Sequence, residues 1–193
     1  MIVTWNQVLF YPAGESSDGL TYAASLKLPA GWKYDTALPV ESGGGSEIRF
    51  APVSLTKLVD SPVLAGEYFR RVDLTPGTTP HMYLCMASDS KAALAMPDSE
   101  VAAYRHLAAE ALSLFGAWHF KEYRLLVPMS DHISHFGLEH HESSEDRVVE
   151  RTWLDDDIRI SNTNLMPHEL THSWNGSIAA PPEASPLRTT GSQ

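Results

Sequence analysis

Cysteine is almost missing from this chain: Cys85 is the only one in 193 residues. A lone thiol excludes an internal disulfide framework and a cysteine-built zinc site. It fits a reducing compartment, and a cytoplasmic location is favoured. The opening Met1-Ile2-Val3-Thr4-Trp5-Asn6-Gln7-Val8 lacks a basic segment and a long apolar stretch, so it does not read as a signal peptide. Any export signal would have to lie upstream of it. Long apolar runs are missing too: none approaches the roughly 18 residues needed to span a bilayer. Positive charge is scarce, with 14 Lys+Arg against 24 Asp+Glu and a formal net charge of −10. With no basic cluster, nucleic acid and anionic membrane are excluded as expected partners. Ser42-Gly43-Gly44-Gly45-Ser46 is a flexible loop or hairpin tip. It is not a phosphate loop, because no Gly-Lys-Ser/Thr follows and no helix opens after it. No internal repeat is visible.

What remains is an ordinary globular composition, 43% hydrophobic and 20% charged, with length for one large domain or two small ones. Residues 1–88 read as β-rich. Short apolar runs at 7–11, 22–28, 47–50 and 81–86 are separated by Pro, Gly, Asp and Ser, as in a sandwich or barrel. The character changes after Asp89. Asp98 can cap a helix starting near Ser99, with Val101, Tyr104, Ala108, Ala111, Leu112 and Phe115 on one face and Gly116 as its stop. Residues 122–127 read as a strand. The expected division is a β-rich part at 1–88, an α+β part at 89–176, and an aperiodic, Pro-containing tail at 177–193 that reads as disordered.

The chemistry concentrates at His168-Glu169-Leu170-Thr171-His172. On a helix, residues four apart share a face, so His168 and His172 can offer two imidazoles to one metal ion. Glu169 lies beside that face, placed to take a proton from water. A hydrolytic zinc site uses three protein ligands, so one more is needed. Glu139, His140, His141, Glu142 and Glu183 are the candidates. Glu183 lies in the tail with nothing to hold it. Residues 136–144 read either as a polar loop or as a substrate-binding edge strand, where a carboxylate catches a peptide's amino terminus. His132 and His135 read as exposed loop histidines, and His106 and His119 as a helix surface and the loop after it. Asp155-Asp156-Asp157 reads as an acidic turn, with no calcium-loop pattern. Ser143 and Ser144 lack a nucleophile-elbow setting.

Gly137-Leu138-Glu139-His140, followed by His168-Glu169-Leu170-Thr171-His172-Ser173-Trp174-Asn175-Gly176, resembles the glycyl aminopeptidase family of zinc metallopeptidases. Trp5-Asn6-Gln7, Tyr11-Pro12-Ala13-Gly14 and the segment from Asp60 to Gly66 carry weaker likeness, so the resemblance covers about residues 5–176. It implies a β-sandwich-like domain followed by a thermolysin-like α+β catalytic domain, and removal of N-terminal Gly or Ala from peptides. It implies Zn2+ held by His168 and His172, Glu169 as general base, and Glu139 as anchor for the substrate's α-amine. Gly137 and Leu138 would lie along the substrate. The family's third ligand, a glutamate on a later helix, has no counterpart here. Nor do the later oxyanion-stabilising residue and a PDZ domain that members often carry. After Trp-Asn-Gly the family tends to continue with a basic run resembling Lys-Tyr-Arg-Arg-Pro-Ala. A one-base deletion in a GC-rich coding of that run yields Gly-Ser-Ile-Ala-Ala-Pro-Pro, the residues at 176–182, so the tail is read as out-of-frame translation. The expectation is a fragment of a zinc aminopeptidase that is itself inactive or very weak. The alternative is a non-catalytic fragment that binds peptides or a partner chain.

Overall fold

The structure, a computed structural model, describes residues 1–44 and 47–175. The expectations for the tail, Glu183 included, lie outside the described residues.

The first part is built from short strands: β1 (Ile2–Val3), β2 (Thr21–Tyr22), β3 (Ser25–Lys27), β4 (Lys33–Thr36), β5 (Val40–Gly44), β6 (Glu47–Phe50), β7 (Val53–Ser54) and β8 (Val63–Gly66). One short helix, α1 (Leu55–Val59), sits between β7 and β8. The strands form three small sheets, ordered β1-β8-β4, β2-β7 and β3-β6-β5. The run at 7–11 is not a strand. Trp5–Gln7 forms a 3-10 turn, because the buried Trp5 indole donates to the Ser61 carbonyl at 2.9 Å and draws the chain inward. Leu9 then packs against the core of this part while Phe10 points to solvent, 98% exposed, and among the described residues the segment joins no sheet. The run at 22–28 is broken into β2 and β3. Ser42, Gly43 and Gly44 lie on β5, which pairs with β6 as a hairpin.

The second part opens with β9 (Tyr68–Asp73) and β10 (His81–Ser88), then α2 (Asp98–Phe115), β11 (Glu122–Met129), β12 (Gly137–Glu139), β13 (Ser143–Asp146), α3 (Asp156–Ser161) and α4 (Leu165–His172). Its sheet is ordered β12-β13-β11-β10-β9. β10, β11 and β13 run parallel, while β9 and β12 are antiparallel to their neighbours at the two ends. The expected change of character near residue 88 therefore falls inside one sheet, since β9 and β10 pair with the strands that follow. A parallel pair needs a crossover, and α2 supplies it between β10 and β11. Helix α2 matches its sequence pattern, with Val101, Tyr104, Ala108 and Ala111 buried and Leu112 left 39% exposed. Pro97 rather than Asp98 stands at its N-cap, and Gly116 ends it in the left-handed conformation at φ 77°.

The central strands are buried on both faces, which is why they read as near-continuous apolar runs. On one face Met82, Leu84, Met86, Tyr123, Leu125, Val127 and Met129 pack under the helices with Met166 and Leu170. On the other, Cys85, Ala87 and Leu126 meet Leu64 of β8. Asp35 of β4 crosses this second interface. It accepts from Arg124 Nε at 2.6 Å and from the Cys85 thiol at 3.2 Å, and pairs with Arg71 Nε at 3.3 Å. Burial pushes the Cys85 thiol well up, and the Asp35 charge adds to it. Among the described residues no helix is long and apolar enough to cross a membrane.

Candidate active site

The HExxH segment lies on α4, as its spacing predicts. Pro167 is tolerated there because it falls in the first turn, where backbone N–H groups have no intrahelical partner. Met166, Glu169 and Leu170 form the buried face of the helix. Ser173 is buried just beyond it and donates to the Leu170 carbonyl at 2.7 Å. The same rotation that buries those residues turns His168 and His172 to the open side.

The two imidazoles converge. Their Nε2 atoms are 3.1 Å apart. Two nitrogens bound to one tetrahedral zinc at about 2.0–2.1 Å would be separated by roughly 3.3 Å, so the spacing fits that ion. His172 Nδ1 lies 3.2 Å from the Asn175 carbonyl. A carbonyl can only accept, so Nδ1 carries the proton and Nε2 presents its lone pair. Among the described residues no group of three or more His, Cys, Asp or Glu side chains is placed to hold a metal. His140, His141 and Glu142 are drawn to α1 instead. His140 and His141 bond Asp60, and Glu142 pairs with Lys57. Glu139 stands exposed on β12. The third ligand is thus not found among the described residues.

Glu169 turns toward the sheet and is 5% exposed. Its neighbour is Gly137: a Cβ added there would lie 2.0 Å from Glu169 Oε1 and 2.4 Å from Cδ. With any side chain there, this carboxyl would have to leave its place against the edge strand. Burial pushes Glu169 above the usual carboxylate range and the Glu139 charge adds to it, while His168, His172 and His140 oppose it. A carboxylate raised in this way is a better proton acceptor near neutral pH.

β12 is the edge strand of the sheet. It pairs only with β13 among the described residues, in the register Gly137↔Asp146, Leu138↔Glu145 and Glu139↔Ser144. Strand alternation puts Gly137 and Glu139 on the face of α4 and Leu138 on the opposite face. Beneath them β13 is fully buried although its sequence is Ser-Ser-Glu-Asp. Ser144 Oγ donates to Asp146 Oδ2 at 2.6 Å. Burial pushes the Asp146 carboxyl up to about 8, against the Ser144 hydrogen bond and with help from the Glu169 and Glu145 charges.

The other histidines and acids fall away from this place. His132 and His135 lie in the loop after β11, where His135 Nε2 donates to the Ser130 carbonyl at 2.9 Å. His106 is exposed on α2. His119 follows that helix and packs edge-on against Trp174 at 5.1 Å. Asp155 caps α3, accepting from the Asp157 and Ile158 amides, so the acidic run opens a helix where a turn was expected. Trp174 stacks on Phe115 at 4.5 Å and donates to the Ala117 carbonyl at 2.9 Å, tying the end of α4 to the end of α2. Asp60, Asp146 and the Asn175 carbonyl are parts of the site region that sequence reasoning missed. Two signals were available, the likeness of the segment beginning at Asp60 and the Trp174-Asn175 extension of the motif, and neither carried a role for these groups.

Comparison with known proteins places this geometry in context. No curated protein matches the chain. Among solved structures it is similar to an aminopeptidase N family protein from Idiomarina loihiensis, with a TM-score of 0.71 and 20% sequence identity. That likeness covers 91% of this chain and 30% of the other, so the chain spans about a third of that structure's length and shares its fold over that region. Residues 1–67, from the first strand through β8, match the family described as the Peptidase M61 N-terminal domain.

Proposed function

We propose that this chain carries part of the active site of a zinc metallopeptidase, an aminopeptidase that releases N-terminal small residues such as Gly or Ala. One observation carries the reading: two imidazole nitrogens at 3.1 Å beside a buried carboxyl that rests on a glycine of an edge strand. The Peptidase M61 match at residues 1–67 and the aminopeptidase-type fold support a peptidase at a coarse level.

His168 and His172 would hold the zinc through Nε2, with the His172 ring fixed by its Nδ1 bond to Asn175. When bound, zinc lowers the pKa of water toward ~7 and polarises a carbonyl. Glu169 takes the proton from the attacking water and returns it to the departing amine, a shuttle that a raised carboxylate performs well. Glu139 faces the same side and receives the substrate's α-ammonium. Among the described residues the outer edge of β12 is unpaired, and its outward backbone groups at Gly137 and Glu139 can pair with the peptide, while Leu138 between them is held to Glu145 of β13 and keeps that edge in place.

The test is direct. Zinc stoichiometry is measured on the full chain, and Gly or Ala release from aminoacyl-naphthylamides is assayed beside Glu169→Gln and His168→Ala. Zinc lost in His168→Ala but kept in Glu169→Gln, with any turnover abolished in both, is the expected pattern. Two imidazoles hold the ion less firmly than three ligands, so affinity is expected to be modest. A folded chain that takes up no zinc at millimolar concentration would overturn the metal assignment. It would favour the second reading, a non-catalytic peptide- or partner-binding fragment. The unpaired edge of β12 and the lack of a third ligand among the described residues are what favour that alternative.

A further inference from the structure

The turn that follows Glu139 is gripped from the other part of the molecule. Asp60 stands at the C-terminal end of α1. Its Oδ2 accepts from the His141 backbone amide at 3.1 Å and from His141 Nδ1 at 2.9 Å, and its Oδ1 meets His140 Nδ1 at 3.4 Å. One turn earlier on α1, Lys57 pairs with Glu142. All three residues between β12 and β13 are thus held by one short helix that lies some eighty positions away in sequence. The turn is also closed within itself, by His140 N–H donating to the Ser143 carbonyl at 2.9 Å.

We propose that Asp60 is a positioning residue for the Glu139 edge: by pinning His140 and His141 it holds the Glu139 carboxylate on the face of α4, where a peptide's α-ammonium would be received. The proposal rests on the amine-binding reading of Glu139 given above. Three observations carry it. Glu139 is bonded directly to the pinned residue His140, so any swing of the turn moves its carboxylate. Among the described residues β12 has a partner on one side only, and it is three residues long, so its ladder alone is a weak restraint. Asp60 is committed to the turn, since both of its carboxylate oxygens are spent on His140 and His141. Its ionisation agrees with that commitment: burial pushes the carboxyl up, but the hydrogen bonds and charges of the two histidines outweigh burial and bring it down to about 2.

The experiment uses the full chain and the variants Asp60→Ala, Asp60→Asn, Lys57→Ala and Glu139→Gln. The first readout is amide hydrogen exchange. Asp60→Ala is expected to speed exchange at residues 138–142 by about tenfold or more while the amides of β10 and β11 keep their protection. The second is the preference for glycyl-glycinamide over its N-acetyl form, followed by NMR titration. Glu139→Gln should abolish that preference and Asp60→Ala should reduce it about fivefold or more, with part recovered in Asp60→Asn, which keeps an acceptor at the same place. Lys57→Ala is expected to change it less. Faster exchange with an unchanged amine preference would reduce Asp60 to interdomain glue and overturn the proposal, as would unchanged exchange in Asp60→Ala. If the parent chain shows no amine preference, the reading of Glu139 fails, and the exchange data alone decide whether Asp60 holds the edge. Should Asp60→Ala not fold, Asp60→Asn carries the same comparison through the loss of charge.

Discussion

Gly137 sets how near the edge strand comes to the motif helix. Its backbone φ is ordinary, so its value lies in the missing side chain and not in unusual conformation. An alanine methyl group would fall inside the Glu169 carboxyl and force that side chain, or the strand, to move. Overpacking of this kind costs about 1–3 kcal/mol. Gly137→Ala is therefore expected to destabilise the chain by that amount in urea denaturation, and to lower any Glu169-dependent turnover by at least about tenfold, since small misplacements of a catalytic group are costly. A variant that keeps both stability and turnover would show that Glu169 does not rest there. At this scale the sequence was partly legible. His168, Glu169 and His172 could be placed on one helix because helical spacing is local. The exclusion of His140, His141 and Glu142 as ligands was not legible, because it depends on Asp60 and Lys57, some eighty residues away.

Among the elements, β13 departs most from its sequence signal. Ser143, Ser144, Glu145 and Asp146 are all fully buried, yet such a run reads as a polar loop. Propensity and periodicity describe strands whose faces are apolar, and here the burial comes from α4 above and β11 beside it. By contrast β10 and β11 were readable, because their apolar stretches at 82–87 and 125–129 are those of strands covered on both faces. Burying the polar strand has a consequence for pH. Unfolded, Asp146 ionises at its ordinary value near 3.8; folded, at about 8. Between those values the folded chain keeps a proton that the unfolded chain has lost. Stability from this group is thus fully present below about 4 and declines as pH rises through about 8. Asp146→Asn, which keeps the shape and an acceptor for Ser144 Oγ, is expected to flatten that decline. The comparison is urea midpoints at pH 5 and pH 8, buffer values chosen to bracket the window. An equal fall in parent and variant would assign the pH dependence to other groups.

Across the whole molecule, the two parts are joined by charge as well as by apolar packing. Asp35 of β4 is 6% exposed and meets Arg124 of β11 and Arg71 of β9, with the Cys85 thiol donating to the same carboxylate. Removing one member of a buried ion pair leaves the other desolvated and uncompensated, which costs about 3–5 kcal/mol. Asp35→Ala is expected to show that loss in chemical unfolding, and Asp35→Asn a smaller one, because the amide oxygen can still accept from Arg124. If neither variant shifts the midpoint, the two parts are held by the Leu64, Cys85, Ala87 and Leu126 contacts and by the Asp60 and Lys57 bonds to the turn at 140–142, without help from Asp35. The general plan, a β-rich part followed by an α+β part, was visible in composition and turn spacing. Sharing of β9 and β10 with the later strands was not, because strand pairing across α2 is a tertiary choice.

The pairing of β12 with β13 also makes the chemistry of this edge a matter of parity. Gly137 and Glu139 look toward the histidine helix while Leu138 looks away. Adding or removing a single residue in the turn at 140–142 and re-pairing the strand one step along would exchange those faces. Glycine and carboxylate would turn toward the first part of the molecule, and a leucine would arrive beneath Glu169. Length variation in that turn is thus compatible with the site only in steps of two.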